Sequence, residues 1–159
     1  MSRAQWLLGV ALAVPDALPA QAQPGWVLSQ VAKNGFADLW EASNRERREL
    51  VACLGGSRGE DSVRVLRLGP LELEQSDSLT AEALGSIERC GPPDWIGTIH
   101  THIRSTDDER PAPRFSPSDR VVMSEWVARW ATPGAFCVLY SDRAAQCEVY
   151  PPPQGTAGP

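Results

Sequence analysis

The apolar positions of this chain change period several times, and each change marks an element. Trp26 to Ser29 is a short apolar segment that predicts a first strand, so the folded part begins near Pro24. From Val31 to Asn44 the period is helical, with Phe36, Leu39 and Trp40 on one face and Gly35 as its weak point. The charged run Asn44 to Glu49 closes that helix and turns the chain into a buried-type strand, Leu50 to Leu54, that ends at Gly55-Gly56. Arg58 to Asp61 is a turn, and strands are expected over Ser62 to Leu68 and Leu71 to Gln75, on either side of a Gly69-Pro70 breaker. Ser78 to Arg89 predicts a helix stopped by Cys90-Gly91-Pro92-Pro93. Trp95 to His102 predicts a strand, and Ile103 to Phe115 a polar loop containing prolines. Pro117 to Trp130 predicts a helix, with Val122, Trp126 and Trp130 in register and Met123 and Val127 beside them. Ala135 to Tyr140 and Gln146 to Tyr150 predict a hairpin, and Pro151 to Pro159 is a tail of a composition that builds no core. There is no internal repeat. This order of elements predicts an α+β or mixed α/β domain with one sheet and about three helices.

Composition narrows the partners more than the fold. The 159 residues suffice for one domain with a real core and cannot close an eight-stranded α/β barrel. A formal net charge of −5 and the lack of any cluster of basic residues argue against nucleic acid as a partner. The first residues form a pattern of their own. Arg3 precedes an apolar run from Trp6 to Val14, then come Pro15 and Ala20-Gln21-Ala22. Positive, apolar, small-x-small is the secretory signal pattern, and the run is too short to span a bilayer. The expectation is therefore a signal peptide over residues 1–22, a mature domain over 23–150 and an extracytoplasmic location. The competing reading is an ordinary first helix in a cytoplasmic protein.

Four cysteines in an exported chain suggest two disulfides. The turn near Asp142 lies midway between Cys137 and Cys147, which suggests that this pair faces across the hairpin and leaves Cys53 with Cys90. Four free thiols are the alternative if the chain stays in the cytoplasm. No Cys-x-x-Cys occurs, so neither a thiolate zinc ribbon nor a thioredoxin-like site is indicated.

The chain's two histidines are His100 and His102. At i and i+2 on a strand they project from the same face, which makes them half of a tetrahedral zinc site. Asp119, at the start of the next helix, is a suitable third ligand and would leave a fourth position open, the pattern of a catalytic zinc centre. A hydrolase also needs a general base, and Glu49 is a candidate at the mouth of the strand that follows it. Each part has a plainer reading. His-x-His arises by chance, Glu49 is the last charge of a run that solvent would cover, and Ser116-Pro117-Ser118-Asp119 is a good helix start.

Together the parts resemble a family. Glu49 opening the strand to Gly56, His100-Thr101-His102, and Ser116-x-x-Asp119 are similar to the JAMM/MPN+ zinc metalloproteases over Trp26 to Tyr150. The resemblance implies a single MPN/JAMM-like, cytidine-deaminase-like domain whose central, mostly antiparallel sheet is flanked by helices. It implies Zn2+ held by His100, His102 and Asp119, with Glu49 as general acid/base and Ser116 stabilising the oxyanion. It also implies hydrolysis of a peptide or isopeptide bond in a protein or peptide substrate. The chain departs from the family's pattern in two places. Ile103 stands where proline usually follows the second histidine, and the spacer from Ile103 to Phe115 is long, either a lid or a disturbance of the site. The sequence leaves two other activities open: an inactive binding module on the same fold, and a zinc amidase acting on a non-peptide amide.

Overall fold

In the computed structural model the described residues are 23–71, 79–103 and 111–151. The expected signal peptide, nearly all of the tail, and most of the anticipated strand Leu71 to Gln75 lie outside them. The elements run in the order β1 (Gly25–Leu28), α1 (Gln30–Glu46), β2 (Val51–Arg58), β3 (Ser62–Pro70), α2 (Leu79–Arg89), β4 (Gly97–Thr101), α3 (Pro117–Trp130), β5 (Gly134–Leu139) and β6 (Ala145–Tyr150). Their bounds follow local chemistry. Ser29 caps α1, its hydroxyl accepting from the Ala32 N–H at 3.0 Å and donating to the Leu66 carbonyl at 2.6 Å. Arg47 ends the helix in the left-handed region at φ 54°.

The strands form one six-stranded sheet, ordered β1-β3-β2-β4-β5-β6. β2 is antiparallel to β3 and β4, and β5 to β6, whereas β1–β3 and β4–β5 are parallel. The sheet is thus mixed and mostly antiparallel, as expected. The first of the two strands expected around Gly69-Pro70 runs further than anticipated, while the second, Leu71 to Gln75, lies almost wholly outside the described residues. β3 continues through both residues, Gly69 opposite Cys53 and Pro70 opposite Ala52. Proline is tolerated there because it is the last residue of the strand.

Strand alternation separates two cores. Ala52, Leu54, Ile99, Ala135, Cys137 and Leu139 face α1, through Ala32 and Phe36. Phe136 and Val138, on the opposite face of β5, pack with Ile87 of α2, Met123 and Trp126 of α3, and Phe115. β5 is buried along its whole length because helices cover both of its faces. α2 is fastened to its face of the sheet by the Cys53–Cys90 disulfide, and Trp126 donates its indole N–H to the Cys90 carbonyl at 3.1 Å. The Cys137–Cys147 disulfide joins directly opposed residues of β5 and β6. Both anticipated pairings are present. Gly97 has a positive φ of 150°, and a Cβ there would lie 1.8 Å from the Ala135 carbonyl oxygen, so β4 and β5 approach too closely for any side chain. Among the described residues no helix is long and apolar enough to cross a membrane.

Candidate metal centre

β4 lies between β2 and β5, with His100 opposite Val51 on one side and Val138 on the other. That register puts His100 on the face covered by α2 and α3. The chain stays extended for two more residues, since the His102 N–H donates to the Leu139 carbonyl at 2.8 Å. His102 therefore projects on the same side as His100, as their spacing predicts.

Asp119 arrives from the start of α3. Ser116 and Asp119 form a capping box: the Ser116 hydroxyl accepts from the Asp119 N–H at 3.2 Å, and the Ser116 N–H donates to Asp119 Oδ2 at 2.6 Å. The structural reading of Ser-Pro-Ser-Asp is correct, and it does not compete with the ligand reading. The cap fixes the carboxylate so that Oδ1 lies 3.3 Å from His100 Nε2 and Oδ2 lies 3.4 Å from His102 Nε2. The two imidazole Nε2 atoms are 3.1 Å apart.

These separations can be set against zinc geometry. Ligands about 2.0–2.1 Å from a tetrahedral ion are about 3.3 Å from one another. The three donor atoms already stand at such separations without any ion, and a His, His, carboxylate set is among those that suit zinc. His102 Nδ1 is 2.8 Å from the Ala112 carbonyl, which can only accept. That nitrogen therefore carries the proton and leaves Nε2 bare in the neutral ring, as a metal ligand requires. The residues present fit the ion.

The electrostatics agree. Burial alone would raise the Asp119 pKa, but the two imidazoles, which bond its carboxylate when protonated, outweigh it and hold the carboxyl well below the usual range. The bond that Asp119 offers to the protonated ring raises the His102 pKa against the opposing effect of burial. Glu49 is half-buried and belongs to the same field. Burial raises its pKa, while the two histidines and the Ile103 backbone N–H pull it down. A solvated end of a charge run would not behave so, and this favours the functional reading of Glu49.

Sequence reading passed over the residues that hold Glu49 in place. Thr101, between the histidines, points to the opposite face and is fully buried. Its hydroxyl accepts from the Leu50 N–H at 2.9 Å and is bonded to the Ser43 hydroxyl at 2.6 Å. Ser43, also fully buried, donates to the Arg48 carbonyl at 2.5 Å. Arg48 and Leu50 flank Glu49, so this pair anchors Glu49 from both sides. The available signal was a hydroxyl at a position that strand alternation sends into an apolar layer. The Ala112 carbonyl left no signal at all, since it is backbone from a loop. Residues 104–110 of that loop lie outside the described residues. Its far end serves the site through Ala112 and through Phe115, whose ring centroid is 6.0 Å from that of His100.

No family model matches the chain, and no curated protein matches it significantly. Solved structures do resemble it. A JAB1/MPN domain protein from Archaeoglobus fulgidus aligns at a TM-score of 0.43 and 17% identity, covering 76% of this chain and 86% of that one. A protein from Desulfitobacterium hafniense aligns at 0.45 and 18%, covering 78% and 82%.

Proposed function

We propose that this chain is a zinc-dependent metallohydrolase of JAMM type that cleaves a peptide or isopeptide bond. The observation that carries the proposal is the convergence of His100, His102 and Asp119 donor atoms within 4.8 Å of one another, in a cavity that Glu49 also lines. The motif resemblance supports the same assignment. Bound zinc would supply Lewis acidity, activating water near neutral pH and polarising the scissile carbonyl.

The protein's own groups do the rest. Glu49 takes a proton from the attacking water and delivers it to the leaving amine. Its raised pKa brings it closer to the operating range of such a base. The Ser116 oxygen is occupied as an acceptor by the helix cap. Its proton is directed only at Ser118 Oγ, 3.4 Å away, a weak bond that leaves it available to a developing oxyanion. An inactive binding module would have no use for a complete ligand set with a half-buried carboxylate beside it.

The substrate would be a protein or peptide and not nucleic acid, given the net charge of −5. Two disulfides and the N-terminal pattern support an extracytoplasmic location. The test is zinc content together with cleavage of a peptide library, with and without chelator. Wild type should hold one zinc per chain, and His100→Ala should lose it. Glu49→Gln should keep the metal and slow cleavage by about 10²–10⁴. Wild type without stoichiometric zinc, or Glu49→Gln turning over normally, would refute the mechanism.

A further inference from the structure

The ligand triad occupies only part of its cavity. The cavity encloses about 800 Å³, the size of pockets that take whole small ligands. Its floor is the sheet, through Val51 and Phe136; its walls are α2, through Leu84, and α3, through Val122 and Met123. Among the described lining residues the only ionisable groups are Glu49, Asp119 and the two histidines, all already committed to the site. Ser86, on the α2 wall, donates its hydroxyl to the Ala83 carbonyl at 2.6 Å and so offers little to a ligand. Leu84 and Val121, which also lines the cavity, are 57% and 60% exposed. These two side chains add aliphatic surface at the rim of a cavity whose floor and walls are themselves largely apolar.

We infer that the substrate seats a large, uncharged apolar side chain, adjacent to the scissile bond, in the cleft between α2 and α3. The inference rests on the metallohydrolase reading and adds the substrate class to it. A charged side chain there would lose water and, among the described lining residues, meet no counter-charge beyond Glu49, Asp119 and the two histidines. An aliphatic or aromatic one would gain the burial that Val122, Met123 and Phe136 provide.

Amino-acid hydroxamates, which chelate zinc and carry a chosen side chain, test this apart from catalysis. Zinc-loaded protein should bind leucine hydroxamate about tenfold or more tightly than aspartate or lysine hydroxamate, the return expected from burying one such side chain. Leu84→Asp should keep its zinc and bring those affinities close together. Equal binding of all three by wild type would overturn the inference. Matched peptides differing only at the residues flanking the scissile bond then separate the two claims. Cleavage without apolar preference would overturn the cleft assignment and leave the hydrolase reading standing. Preference in hydroxamate binding with no peptide cleaved would do the reverse.

Discussion

At the scale of single residues, the site depends on what opposite faces of one strand do. His100 and His102 face Asp119 in the candidate metal site, while Thr101 between them faces α1 and bonds the backbone around Glu49. One tripeptide thus sets both the two proposed metal ligands and the position of Glu49, the proposed base. Replacing Thr101 by valine keeps the shape and removes the hydroxyl. Thr101→Val should therefore retain zinc and KM but lower kcat about 10- to 100-fold, as expected for a displaced catalytic group. Thr101→Ser should remain near wild type. Zinc lost in parallel with kcat would show instead that Thr101 acts only by keeping β4 in place. The His-x-His spacing was legible in the sequence because alternation on a strand is a local rule. Thr101's part was not, because Ser43 lies on a different element and only the fold brings it to 2.6 Å.

At the scale of elements, α3 combines two functions at its first turn. The capping box satisfies backbone donors that a helix start leaves unpaired and also aims the Asp119 carboxylate. The bidentate pair between Arg120 and Glu148 ties the same turn to β6. The two roles of Ser116 separate by substitution. Ser116→Ala should cost about 1 kcal/mol of stability, whereas glycine, a tolerable cap, should cost only a few tenths. Both should slow cleavage by about 10²–10³ if the hydroxyl meets the oxyanion. Denaturant unfolding and kcat on the same samples distinguish the outcomes, and a rate loss that tracks stability alone would remove Ser116 from the chemistry. The helix was legible because its cap, its proline at the first position and its apolar face are all local signals. The end of β3 was less legible, because Gly69-Pro70 reads locally as a breaker and the pairing with β2 carries the strand through both residues.

For the whole molecule, the sheet is the instrument that gathers distant residues. Glu49 precedes β2, His100 lies near the end of β4 with His102 just past it, and Asp119 lies in the first turn of α3; the β2–β4 pairing and the α3–β5 packing close the distances. The Cys53–Cys90 disulfide holds α2, one wall of the cleft, and spans a sequence separation of 37, against 10 for Cys137–Cys147. Loop entropy assigns the longer link about 4 kcal/mol and the shorter about 3 kcal/mol. The Cys53→Ser/Cys90→Ser pair should thus lower the denaturant midpoint more than Cys137→Ser/Cys147→Ser, and the opposite order would contradict that argument. By itself the sequence determined the class of fold, the helices and the cap of α3, the shared side of the two histidines and the pairing across the hairpin, because each follows from periodicity or spacing within a few residues. Only the tertiary structure decided that Asp119 meets both imidazoles, that burial raises Glu49, and that an apolar cleft opens beside them. Those are properties of surfaces brought together by long-range strand pairing and helix packing, and no local pattern encodes a distance between segments far apart in the chain.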